Sequence, residues 1–325
     1  MKLYQIALIG AVIVANLVGP TPASAADYPT RPVAFVVPYA PGGATDLLAR
    51  TLGHYLEQKL GQPFIIENKP GASSALAGTL VSKADPDGYT ILMATSTTMA
   101  INPSVFQKLD YRPLVDLTPV ALVANSPFVL VVNNDLPVRS VTDLVKLAKS
   151  KPGELTYGSS GPGSSHHLDM VLLSNMTGIK LTHVPYKGTV PALNDVMAGH
   201  VQMMFSDMST ALPLIRAGKL RAIGVSSDKR VAGAPELPTI AENGLPGYDA
   251  AAWQMVVMPA KTPNDIVAKL HDTLKAYQET SEFKKTITQR GLEPLVTPSR
   301  EEMKKFVQDE ITRWHAVVES AGLSH

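Results

Sequence analysis

Residues 158–167 read GSSGPGSSHH. Hydroxyls, backbone without Cβ atoms and two imidazoles could serve as a nucleophile with its base, as a cradle of N–H and O–H donors for an anion, or as a slack turn. The nucleophile reading needs a G-x-S-x-G frame, and Ser159, Ser160, Ser164 and Ser165 stand in none. His166 and His167 are too close in sequence to these serines to imply triad geometry. Adjacent residues on a helix also point apart, and no E-x-x-H spacing joins the pair, so no metal or other cofactor is expected. An anion cradle remains: Gly161 and Gly163 let the backbone approach a ligand, and Ser164 or Ser165 caps a helix carrying Leu168, Val171 and Leu172.

Three more stretches have the same build. VVPYAPGGATD (36–46) stiffens a loop with Pro38 and Pro41, frees it at Gly42 and Gly43, and offers Thr45 or Asp46 as a helix cap. MATSTTMAIN (93–102) sets hydroxyls after a strand, and HVPYKGTVPA (183–192) is the fourth. The first N–H groups of a helix have no intrahelical partner and sit at the positive end of its dipole, so such junctions attract carboxylate or phosphate. Two of them on opposite lobes would suit a ligand with an acidic group at each end.

The elements that must hold these loops alternate in type. Val33–Val37, Phe64–Glu67, Thr90–Ala94, Val120–Val123, Phe128–Val132, Thr156–Gly158, Leu181–Val184, Val201–Phe205, Arg221–Val225 and Trp253–Met258 read as strands, with helical spacing between many of them. Ser140 with Asp143, and Ser299 with Glu302, predict helix starts, and Thr262-Pro263 predicts a helix with proline at its first position. Met303, Val307, Ile311, Trp314 and Val318 form a core stripe on the last helix. Strand–helix alternation implies α/β lobes with mostly parallel sheets, in which ligands sit beyond the carboxyl ends of strands. Breaks near VANSPFVLVV (123–132) and AAWQMVVMP (251–259) imply two crossings. Residues 26–126 with 252–325 would form one lobe and 127–251 the other.

Residues 1–25 combine Lys2, an apolar run of 13 residues from Ile6 to Val18, and Ala23-Ser24-Ala25. This pattern predicts a cleavable secretory signal, since the run is short of the ~20 residues a spanning helix needs. The chain has no cysteine, which excludes disulfides, thiolate metal sites and a lipid on an N-terminal cysteine. A soluble periplasmic protein is expected. Charges are nearly balanced at 29 basic and 28 acidic residues, without like-charge blocks, which disfavours nucleic acid and anionic membrane as partners.

Seven stretches together resemble the solute-binding receptors of tripartite tricarboxylate transporters, the Bug family: YPTRPVAFVVPYAPGGATDLLAR, ENKPGASS, DGYTILMATSTTMAINPSVF, YGSSGPGSSHHL, HVPYKGTVPAL, AGHVQMMFSDMSTALPLIRAGKLRAIGVSS and LPTIAENGLPGYD. The resemblance implies a two-lobed periplasmic binding protein of the Venus-flytrap type with two crossing hinge strands. Such a protein is a monomeric receptor without catalysis or cofactor, which delivers a small organic anion to a membrane permease. Carried over residue by residue, the first-lobe contacts would be Tyr39, Ala40, Gly43, Thr45, Asp46, Ser96 and Thr97. The second lobe would offer Ser159, Ser160, Gly161, Gly163, Ser164, His167, Tyr186 and Lys187. Blander roles stay open for Asp46 as a helix cap, His167 as core and Lys187 as a solvated charge.

Where many relatives read phenylalanine then aspartate, this chain has Phe205, Ser206 and then Asp207. An aspartate directly after Phe205 could recognise a ligand amino group, so the neutral Ser206 shifts the expectation to a di- or tricarboxylate or an aromatic acid. Ser206 and Asp207 are retained as candidate contacts. A periplasmic sensing subunit that binds the same ligand, and a secreted hydrolase, are the alternatives.

Overall fold

The computed structural model describes residues 28–320 and 322, so the expected signal segment lies outside the described residues. The first sheet is built from β1 (Val33–Val37), β2 (Phe64–Asn68) and β3 (Thr90–Thr95), with α1 (Ala44–Leu60) and α2 (Ala75–Ser82) as crossovers. β1 pairs parallel with both β2 and β3. The short helices α3 (Asn102–Val105) and α4 (Pro113–Asp116) lead into β4, a single strand of 16 residues from Leu117 to Val132.

The sequence predicts two strands here, Val120–Val123 and Phe128–Val132, with a break between them. The strand passes through it because its two ends serve different sheets. Its first part pairs antiparallel with β9 (Ala251–Pro259), whose other edge pairs with β3. From Phe128 onward it pairs with β7 (Met203–Asp207) and β8 (Arg221–Val225). Pro127 lacks a ladder donor and is tolerated at such a transition. The second sheet continues from β7 through β5 (Thr156–Ser159) to β6 (Thr182–Pro185), all parallel. α5 (Val141–Ser150), α6 (Ser165–Thr177), α7 (Thr189–Ala198) and α8 (Met208–Arg216) belong to this half. The chain returns along β9 to α9 (Asn264–Glu279), α10 (Ser281–Gln289), β10 (Glu293–Pro294) and α11 (Arg300–Ser320).

The apolar residues separate accordingly. One pair of clusters centres on Phe35, Leu48, Leu52 and Met93, and on Leu92, Met255 and Trp314. The other pair centres on Phe128, Phe205 and Tyr248, and on Val129, Met204 and Leu212. Leu168 of α6 is the exception, since it packs into the first half's cluster with Val105, Met303 and Val307.

Helix starts follow local chemistry. The Ser140 hydroxyl accepts from Asp143 N at 3.0 Å, and Ser299 and Glu302 exchange the bonds of a capping box. Pro263 is the residue before α9 rather than its first turn, with extended ψ of 137°. Met303, Val307, Trp314 and Val318 are buried, with Ile311 packed beside them. Glu310 ties this helix to the hinge, because its Oε2 accepts from Trp253 Nε1 at 2.7 Å and from Trp314 Nε1 at 3.2 Å.

Candidate functional site: the cleft between the lobes

Strand ends from both halves meet helix starts at one buried cavity. It is lined by Tyr39, Ala40, Gly43, Ala44 and Thr45 after β1, by Thr95 at the end of β3 and Thr97 beyond it, and by Ser165, His166, Thr189 and Asp207 from the second half. Ser126, Phe128, Ala252 and Gln254 complete it from the two crossing strands. The first turns of α1, α6 and α7 therefore all open onto it, and each brings N–H groups that its own helix leaves unpaired.

The two halves touch across the cavity. Ser165 Oγ lies 3.1 Å from Ser96 Oγ and 3.0 Å from Thr97 Oγ1, and Ser165 N donates to Thr97 Oγ1 at 3.2 Å. The Ser73 hydroxyl donates to the Pro162 carbonyl. Ser73 lies in the run Ala72–Ser74, where three non-glycine residues hold φ of 44°, 47° and 73°. A Cβ built on Gly163 would meet Val105 Cγ1 at 2.8 Å, and one on Gly188 would meet Ala40 Cβ at 3.1 Å. This is a closed conformation, and small residues set how closely the lobes approach.

Of the residues singled out in the sequence, Tyr39, Ala40, Gly43, Thr45, Thr97 and Asp207 line the inner cavity. Tyr39, Ser160, Gly161, Tyr186 and Lys187 line an outer groove beside it, together with the Gly71–Ser74 loop. Asp46, Ser96, Ser159, Gly163, Ser164, His167 and Ser206 line neither.

Asp46 instead braces the first loop. Its carboxylate accepts from Gly42 N, Arg50 Nε and Asn68 Nδ2, each at 2.9 Å. Burial alone would raise this carboxyl, but Arg50, the Gly42 N–H and Asn68 outweigh it and hold it below the ordinary range. Asn68 Nδ2 also donates to the Tyr39 carbonyl at 2.9 Å, so Asp46 fixes the loop on which Tyr39 stands.

Ser164 caps α6 through His167 N and donates to the Gly161 carbonyl at 2.7 Å. His167 is core. Its ring stacks on His183 at 4.0 Å between centroids, and its Nδ1 accepts from Gly163 N at 2.9 Å. Burial and the neighbouring His183 push the His167 imidazole down to about 3, and burial pushes His183 down to about 4, so both rings are neutral. Ser159 Oγ lies 2.6 Å from His183 Nε2, inside the same lobe. Ser206 is fully buried on β7, with its hydroxyl on the Asp207 carbonyl.

His166, whose closeness in sequence to the serines implies no triad geometry, does stand between a serine and an aspartate. Its Nδ1 lies 2.7 Å from Ser160 Oγ and its Nε2 lies 3.3 Å from Asp207 Oδ2. The first turn of α6 folds back under the loop, and the end of β7 delivers the carboxylate. Thr189 Oγ1 donates to the same Oδ2 at 2.5 Å. Burial opposes the Asp207 charge, but His166 and Thr189 outweigh it and hold the carboxyl below its ordinary range. A serine-hydrolase relay has the serine on Nε2 and the aspartate on Nδ1, the reverse of this order.

The sequence and the fold match known receptors. The tripartite tricarboxylate transporter family receptor model matches residues 48–323. Protein BugT of Bordetella pertussis is 34% identical over 324 residues, 99% of both chains. The chain belongs to the tripartite tricarboxylate transporter receptor family. It is thus a periplasmic solute-binding receptor and not an enzyme. Among solved structures, R. palustris Rpa4515 with adipate is 40% identical with a TM-score of 0.88, covering 91% of this receptor and 98% of that chain. MatC from Rhodopseudomonas palustris with bound malate is 35% identical with a TM-score of 0.84, covering 90% and 100%. Among the described residues of the receptor, no helix is long and apolar enough to cross a membrane.

Sequence reasoning missed Ala44, Thr95, Ser126, Phe128, Ser165, His166, Thr189, Ala252 and Gln254. Ala44, Thr95, Ser165, His166 and Thr189 lay inside the quoted loops, so the loop signal contained them. The four hinge residues had no local signal, because strand residues reveal a cavity only when the partner strand is in place.

Proposed function

We propose that the receptor captures a small organic anion in this cleft and delivers it to the membrane permease subunits of a tripartite tricarboxylate-type transporter. The anion is a di- or tricarboxylate or an aromatic acid, and the chain reaches the periplasm through a cleavable signal at residues 1–25. The observation that carries this reading is the convergence of three helix starts, from both lobes, on one buried cavity lined by no lysine or arginine. Helix N–H groups and hydroxyls there supply the donors that an anion needs, with no cationic side chain in the lining to fix its identity. That Rpa4515 was solved with adipate and MatC with malate supports the ligand class.

Ala40, Gly43 and Thr45 hold the anion from one lobe and Thr189 from the other, Thr97 and Ser165 hold it where the lobes meet, and Tyr39 is packed alongside. The outer-groove residues Ser160, Gly161, Tyr186 and Lys187 line the way in. Asp46, Ser96, Ser159, Gly163, Ser164 and His167 shape these loops from behind.

The test is calorimetric titration of the periplasmic form with malate, adipate, citrate and benzoate, followed by co-purification with the permease from membranes. Saturable binding of an acid with compaction in X-ray scattering is expected. Binding only of sugars or cations would refute the reading, and failure to associate with any permease would refute delivery.

A further inference from the structure

β4 and β9 cross between the lobes side by side, with Ser126 opposite Ala252 and Ala124 opposite Gln254. Side chains alternate along a strand, so Ser126 and Phe128 share one face of β4, and Ala252 and Gln254 share one face of β9. All four line the cavity, so this face is its floor. Apart from Ser126 and Gln254 the floor is apolar, and these two are each 1% exposed. Ser126 Oγ and Gln254 Oε1 have no hydrogen-bond partner in the protein.

Buried polar atoms are nearly always paired, so orphans aimed into a ligand cavity mark places where the ligand supplies the partner. Gln254 Oε1 can only accept and Ser126 Oγ can accept or donate. The Asp207 carboxylate, which also only accepts, lines the same cavity. The helix starts and the hydroxyls of Thr97 and Ser165 offer donors to carboxylate oxygens. Gln254 Oε1 and the Asp207 carboxylate offer acceptors, which a carboxylate oxygen cannot satisfy, while the Ser126 hydroxyl suits either a donor or an acceptor. We propose that Ser126 and Gln254 are the specificity residues of this receptor, and that its ligand is a carboxylic acid bearing a hydroxyl or amino group that donates to this hinge floor.

The inference rests on the receptor reading and sharpens its substrate class. Asp207, kept as a candidate contact from the sequence, lines the cavity, since displacement by one residue does not remove it from the cleft. Because both strands run through the hinge, a ligand bonded to the floor also contacts the part of the protein that moves least on closure. The acid groups would then be gripped when the lobes meet, while the substituent is checked by the floor.

The experiment compares matched acids on the full periplasmic chain by calorimetry: succinate against malate and aspartate, and adipate against 2-aminoadipate. Wild type is expected to bind the substituted acid roughly ten- to a hundredfold more tightly within at least one set. Ser126→Ala and Gln254→Leu are expected to erase that preference, leaving the affinity for the unsubstituted acid within about threefold. Removing an orphaned polar atom should also leave the unliganded melting temperature unchanged or raised. A merely structural role for either residue would lower the melting temperature and weaken all the acids alike, which would overturn the inference. So would equal or tighter binding of the unsubstituted acids by wild type, or a preference that survives both substitutions. Either result leaves the receptor reading standing; wild type binding none of these acids overturns the inference, and overturns the receptor reading as well only if citrate and benzoate also fail to bind.

Discussion

Gly163→Ala separates what one residue does for its lobe from what it does for closure. Gly163 holds φ of 70°, a left-handed conformation that costs an alanine about 1–2 kcal/mol. This strain lies within the second lobe and is the same whether the cleft is open or shut. The new Cβ would also stand 2.8 Å and 3.1 Å from the two methyl groups of Val105 in the other lobe. Ordinary carbon contacts lie at about 3.5–4.0 Å, so the lobes must part locally by up to about 1 Å. Overpacking of this kind costs about 1–3 kcal/mol, and here it falls on the closed state alone. The unliganded protein should therefore melt a few degrees lower. The dissociation constant for malate or adipate, whichever wild type binds more tightly, should rise about 5- to 150-fold. Placing Gly163→Ala in a Val105→Ala background should restore most of the affinity relative to Val105→Ala alone, but none of the lost melting temperature. Calorimetry and thermal melting of the four proteins complete the cycle. If Gly163→Ala binds as wild type does, or if its binding defect persists unchanged without the Val105 methyls, the closure account is wrong.

Three further outcomes follow from buried charge. The His167 and His183 imidazoles, pushed down to about 3 and about 4, bind fewer protons folded than unfolded. Their stabilisation is therefore complete above the unfolded value near 6.5 and is lost as pH falls toward the folded values; melting scans from pH 8 to 4 should show His167→Gln flattening this loss. Asp169 on α6 has both carboxylate oxygens buried without partners, and burial raises it well above the usual range, with Arg313 opposing and Asp249 adding. The native state then holds a proton that the unfolded chain gives up from about pH 4, so wild type should lose stability relative to Asp169→Asn as pH rises from 4 to 8. A melting difference that is flat across that range would contradict the buried neutral acid. Asp46→Ala removes the acceptor of Gly42, Arg50 and Asn68, and should weaken acid binding at least tenfold through disorder of the Tyr39 loop. Asp46→Asn, which keeps part of the acceptor set, should recover some of that affinity, and equal loss in both would argue for direct ligand contact.

Local chemistry made much of the scaffold legible. β1, β3, β7 and β8 follow apolar runs, and α5 and α11 begin at Ser140 and Ser299, because a cap or a strand face is decided by residues within a few positions of one another. The cleft loops were legible for the same reason, since glycine, hydroxyl and helix start must be consecutive to expose N–H groups to an anion. The tertiary structure alone decided which loop residues face the ligand space. His167, expected in the site, stacks on His183, while His166 beside it enters the cavity. One step along a helix turns a side chain by about 100°, and packing sets the helix's orientation. The stretch between Val123 and Phe128 reads as a break, yet β4 runs straight through it, because its neighbours on either side are supplied by strands far away in the chain. The same pairing brings Ser126 to Gln254, 128 positions apart, on one floor. No local pattern encodes that meeting; it exists only once both strands have crossed between the lobes.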